Sequence, residues 1–147
     1  MLMNIIGLLT IVVLFGVPQI VGMAFAGNAR RAWKARGLGI AGGVIIWFAT
    51  MWTMLNGGEY HPLQIVACAI ASITLVVWLT LKVSGKALVG AWATSFGLGI
   101  GFFITAVLPD ETGQAAMGLF MLNAGTAAGL FLVALIARLP RQLRNVD

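Results

Sequence analysis

The chain has 147 residues, of which 61% are hydrophobic and 9% charged, and its mean hydropathy is +1.01. A soluble domain carries charge on about a quarter of its residues. This composition therefore excludes an ordinary water-facing globule and makes lipid the solvent for most of the surface. The formal net charge is +5, but the basic residues sit in three short clusters between apolar runs, which is a membrane-topology pattern and not a nucleic-acid footprint.

Five apolar segments reach the roughly 20 residues needed to cross a bilayer. They span residues 2–26, 37–56, 62–81, 87–108 and 114–137, with a basic tail at 138–147. The expectation is one all-α membrane domain over residues 1–147, a bundle of five transmembrane helices with no Asp, Glu, Lys, Arg or His inside a span.

The first segment contains Pro18-Gln19. Proline removes a helix hydrogen bond and bends the chain, so Pro18 and Gln19 are candidates for a cavity or pathway, although a lone proline is also ordinary in membrane helices. Met23-Ala24-Phe25-Ala26 before Gly27 resembles a signal-peptidase site. Against cleavage stand the missing basic n-region and an apolar run longer than a usual signal core.

The second segment opens at Gly37 and ends at Asn56-Gly57-Gly58, residues that suit a left-handed C-cap. Trp47, near its middle, does not fit an interfacial belt and is expected to face a neighbouring helix. Pro62 suits the first turn of the third segment, and Ser84-Gly85 marks the turn after it. Cys68, the only cysteine, can form no intrachain disulfide and reads as a packing residue.

The fourth segment carries a smooth stripe of Gly90, Ala93, Gly97 and Gly101, and ends at Leu108-Pro109-Asp110. The fifth carries Gly118, Gly125 and Gly129 beside Ala124 and Ala128, and Pro140 is expected to close it. Lipid offers little hydrophobic drive for helix association, so small residues at helical spacing mark close backbone approach, either within the bundle or to a partner. Asn123 lies deep in the fifth segment; an amide facing lipid is costly, so it is expected to meet another helix or a wet cavity.

Arg30, Arg31, Lys34 and Arg36 follow the first segment, Lys82 and Lys86 the third, and Arg138, Arg141 and Arg144 the fifth. Five spans put all nine basic residues on one side and Glu59, His61, Asp110 and Glu111 on the other. The positive-inside rule then sets the N-terminus outside and the C-terminus in the cytoplasm.

Chemistry is sparse. Without embedded carboxylates, ion-coupled transport is disfavoured, and one histidine cannot supply a haem pair. Glu59, His61, Asp110 and Glu111 share one face, but their spacing matches no metal or catalytic motif. No catalytic residue, cofactor or metal is expected.

The sequence thus points to a small non-enzymatic accessory or structural subunit. It would act by helix association with itself or other membrane subunits, with anionic lipid headgroups at its basic face. A small transporter or passive pore for a neutral or apolar solute is the alternative. A bacterial inner membrane fits the loop-poor design.

Overall fold

The computed structural model describes residue 9 and residues 29–51, 61–84 and 86–143. The expected first span 2–26 (Leu9 aside), with Pro18 and Gln19, the turn at 56–58 and Glu59 fall outside the described residues. From residue 29 on, the described residues form four helices: α1 (Ala29–Thr50), α2 (Pro62–Trp78, extended by a wider π turn Leu79–Ser84), α3 (Ala87–Phe102, extended by a π turn Phe103–Val107) and α4 (Gln114–Leu143).

Three of them are long and apolar enough to cross a membrane: Pro62–Val83, Ala87–Val107 and Gln114–Pro140, with mean hydropathies of 2.2, 1.7 and 2.1. The described chain is therefore an all-helical structure with the makings of a membrane protein.

Two boundaries differ from expectation. α1 begins at Ala29, not Gly37. Ala, Arg and Lys are good helix formers, and no Gly or Pro separates Ala29 from Arg36, so the helix runs back through the basic cluster and carries it. α4 continues through Pro140 to Leu143. Pro140 forfeits only its own backbone bond, close to an end where carbonyls lack partners in any case.

The helices alternate in direction, and the glycines show how. A Cβ on Gly39 would lie 2.6 Å from the Ala93 Cβ, one on Gly43 would lie 2.5 Å from the Thr94 carbonyl and 3.0 Å from the Gly97 Cα, and one on Gly101 would enter the Trp47 ring. Gly39 on Ala93, Gly43 on Gly97 and Trp47 on Gly101 share one offset of 54 residues, so α1 and α3 run parallel with their backbones almost in contact.

α2 runs opposite to α1: Gly42 meets Leu75, while Cys68 joins Trp47, Met51 and Leu98 in one core cluster. α4 runs opposite to α3, with Val107 and Leu119 at one end and Ala87, Ala91, Leu130 and Ala134 at the other. α3 is the enclosed helix: 61% of its spanning window is buried, against 28% in α2 and in α4.

Trp47 is 3% exposed. It lies over Gly101, meets Phe102 edge-on at 5.5 Å, and donates from Nε1 to the Thr105 hydroxyl at 3.1 Å. The mid-helix tryptophan thus faces the bundle interior, where its N–H has a partner.

These contacts predict that Gly97→Val and Gly43→Val lower the thermal unfolding temperature in detergent, because the added carbons meet backbone that cannot retreat. Overpacking of this kind costs about 1–3 kcal/mol. Gly37→Val should cost far less, since nothing lies within 4 Å of a Cβ there.

Candidate functional site

The small residues expected to mediate association divide into two sets. Gly90, Ala93, Gly97 and Gly101 on α3 are all buried. α1 covers the last three, and α2 covers Gly90, where an added Cβ would lie 3.3 Å from the Leu79 Cβ and 3.4 Å from the Thr80 Oγ1. This stripe is consumed inside the bundle.

The α4 glycines are placed differently. Gly118, Gly125 and Gly129 are exposed, as are Ala124 and Ala128. A Cβ on Gly118 would reach the Phe102 ring tip at 3.5 Å, whereas among the described residues nothing lies within 4 Å of one on Gly125 or Gly129. Met117, Met121, Leu132 and Ile136 flank them at 59–69% exposure, so α4 presents an apolar face with a low centre.

α4 meets α3 along a different, polar seam. The Ser95 hydroxyl lies 2.7 Å from the Thr126 hydroxyl and 3.1 Å from the Asn123 carbonyl, and donates its one proton to one of them. Thr126 in turn donates to the Leu122 carbonyl at 2.7 Å.

Asn123 is fully buried. Its Nδ2 donates to the Leu119 carbonyl at 3.2 Å, and its amide lies flat against Gly99, where a Cβ would come within 2.5 Å. Its Oδ1 has no partner. Asn123 therefore meets a neighbouring helix. Ser95, Gly99 and Thr126 were missed as a set in the sequence; the i, i+4 pair of Ser95 and Gly99 facing an embedded amide was the available signal.

A groove of about 330 Å³ opens between α2 and α4, floored by Trp47, Met51 and Leu98 and walled by Cys68, Ser72 and Gly129 among others. Its size and apolar lining suit a hydrocarbon-like occupant. Asn123 is not among its lining residues. The Ser72 hydroxyl, 3% exposed, lacks a hydrogen-bond partner.

The polar residues at the α2 and α4 starts serve as caps. The His61 N–H donates to Gln64 Oε1 at 2.9 Å, with the His61 ring accepting a long 3.4 Å bond from the Leu63 N–H. Asp110 accepts from the Thr112 N–H and hydroxyl through Oδ1, at 2.8 and 2.7 Å, and from the Ala115 N–H through Oδ2 at 2.7 Å. Gly113 between them takes φ 79°, a left-handed conformation that favours glycine. Among the described residues no three His, Cys, Asp or Glu side chains converge on a metal-sized site.

Comparison with protein-family models, curated proteins and solved structures finds no match.

The Asp110 cap has a pH signature. Hydrogen bonds from the Thr112 hydroxyl, then the Ala115 and Thr112 N–H groups, hold its carboxyl below the usual carboxylate range. A lowered folded-state value contributes stability above the ordinary carboxylate value and loses it as pH falls through the lowered one. Thermal unfolding followed across an acid titration should therefore show a destabilisation that Asp110→Asn reduces.

Proposed function

We propose that this chain is a small, non-enzymatic membrane subunit that works by helix association, with α4 as the associating element. The observation that carries the reading is the open space above Gly125 and Gly129, on a helix whose partner-facing seam is already filled. A bilayer provides little hydrophobic drive for association, so a low, apolar helix face suits close packing against another helix. A second copy or another membrane subunit fits that face equally well.

In the same reading the chain crosses a bacterial inner membrane five times. The parallel and antiparallel packing gathers Arg30, Arg31, Lys34, Arg36, Lys82, Lys86 and Arg138 at one end of the bundle, and His61, Asp110 and Glu111 at the other. This segregation supports a cytoplasmic basic end. Reporter fusions should place the two chain termini in opposite compartments; a shared compartment would remove the five-span count.

A passive pore for a neutral or apolar solute draws its support from the α2–α4 groove. Asn123, expected to line such a path, is sealed against Gly99 instead, which leaves association as the better-supported reading.

Association is tested by native mass spectrometry in mild detergent and by crosslinking in membranes. Gly125→Leu and Gly129→Leu should leave the unfolding temperature of the protein nearly unchanged while shifting the complex toward the monomer by about tenfold, equivalent to roughly 1.4 kcal/mol. A wild-type protein that is strictly monomeric, with no co-purifying partner, would defeat the reading.

A further inference from the structure

Arg36 occupies a position that its sequence context concealed. Because α1 starts at Ala29, Arg36 falls on the bundle-facing side of the helix with Ala32, Ala35, Gly39, Gly43 and Trp47, all of them buried. Arg36 itself is 6% exposed, and its Nε has no hydrogen-bond partner. Its guanidinium lies 5.7 Å from the centre of the Trp33 ring, and that ring is 62% exposed.

Drawing a guanidinium part-way out of water is costly unless an anion and hydrogen bonds replace the hydration it loses. The ring face of Trp33 is attractive to a cation but carries no net charge. Among the described residues no anion stands at this end: Asp110 and Glu111 lie at the opposite end of the bundle, while Arg30, Arg31, Lys34, Lys82, Lys86 and Arg138 share the end that holds Arg36.

Two further features shape the place. The 54-residue offset between α1 and α3 sets Arg36 level with Gly90, which is also the level of Thr80, whose buried Oγ1 has no partner. On the outer side Gly37 is exposed, and among the described residues beyond its chain neighbours nothing lies within 4 Å of where a Cβ would stand. A buried Arg36 whose Nε lacks a partner, an exposed tryptophan ring beside its guanidinium, and a buried Thr80 hydroxyl without a partner at the same level thus mark this place.

We propose that Arg36 anchors a binding site for a phosphate group, carried by an acidic phospholipid headgroup or free in the aqueous phase. The planar guanidinium fork matches two phosphate oxygens and remains charged at any physiological pH. The surrounding lysines and arginines raise the local concentration of anions. Trp33 offers its ring face to the guanidinium and suits the headgroup level of a bilayer. The site is independent of the α4 face and stands or falls without it.

The test uses the full-length protein in mild detergent, with native mass spectrometry to count bound lipid and thermal unfolding as a second readout. Phosphatidylglycerol, phosphatidylcholine and inorganic phosphate are the three probes. Wild type should hold phosphatidylglycerol at least tenfold more tightly than phosphatidylcholine and unfold at a higher temperature in its presence. Arg36→Gln should lose that preference tenfold or more, and Arg36→Lys, which keeps the charge but not the fork, should lose it about threefold. Arg31→Gln, an exposed cation on the same helix, should change it by less than twofold. Protection by inorganic phosphate equal to that by phosphatidylglycerol would assign the site to free phosphate. The proposal is overturned if Arg36→Gln and Arg36→Lys bind phosphatidylglycerol like wild type, or if Arg31→Gln loses as much as Arg36→Gln.

Discussion

The near-contact of the α1 and α3 backbones is the constraint on which the rest of the structure depends. Gly43 and Gly97 stand where any side chain would meet main chain, and Gly39 rests on Ala93 one turn away. In lipid, apolar side chains gain little by leaving one apolar medium for another, so helices associate through dispersion and fit. Glycines let two long surfaces meet over several turns. The approach also fixes the environment of everything along the seam: Trp47 is laid over Gly101 and becomes the floor of the α2–α4 groove, and Arg36 is carried into the bundle one turn before Gly39.

The second seam, between α3 and α4, uses polar groups where the first uses bare backbone. Ser95, Thr126 and Asn123 exchange bonds with one another and with helix carbonyls, so most of their polar atoms are satisfied within or between two helices. Gly99 makes this possible by leaving room for the Asn123 amide. A hydrogen bond between membrane helices is worth only about 1 kcal/mol, so its larger effect is on register: sliding α4 by one turn would take the amide away from Gly99, where the missing side chain leaves room for it.

Much of the architecture was legible in the sequence. The starts at Pro62, Ala87 and Gln114 were readable from turn residues and from the lengths of the apolar runs, and those three helices appear as expected. The inward role of Trp47 followed from its distance to any interface. What could not be read was partner choice among small-residue stripes: Gly97 and Gly129 sit in similar local contexts, yet one is pressed against α1 and the other faces open space. Spacing along one helix says that a face is smooth and is silent on what lies across from it. The length of the apolar run places the start of α1 at Gly37 because charge ends a membrane span, whereas Ala, Arg and Lys favour helix whatever the surrounding solvent. That single misplacement hid Arg36.

The contrast between the two glycine sets bears on why α4 is built as it is. In the α1–α3 seam each glycine has a local reason, since a Cβ would collide with backbone at Gly43 and Gly97, with the Ala93 Cβ at Gly39 and with the Trp47 ring at Gly101. On α4, Gly125 and Gly129 have none within the described bundle, and glycine weakens a helix relative to alanine by roughly 0.5–1 kcal/mol. Ala124 and Ala128 beside them show that alanine is sterically acceptable on the same surface, and leucine and methionine are tolerated one turn away. A helix facing only lipid would gain from replacing both glycines with larger apolar residues, which fill space and hold the helix better. Their presence on the exposed side of α4 therefore favours a use for closeness that the four described helices do not supply, and it is this asymmetry within one chain, more than the motif itself, that supports association as the role of α4.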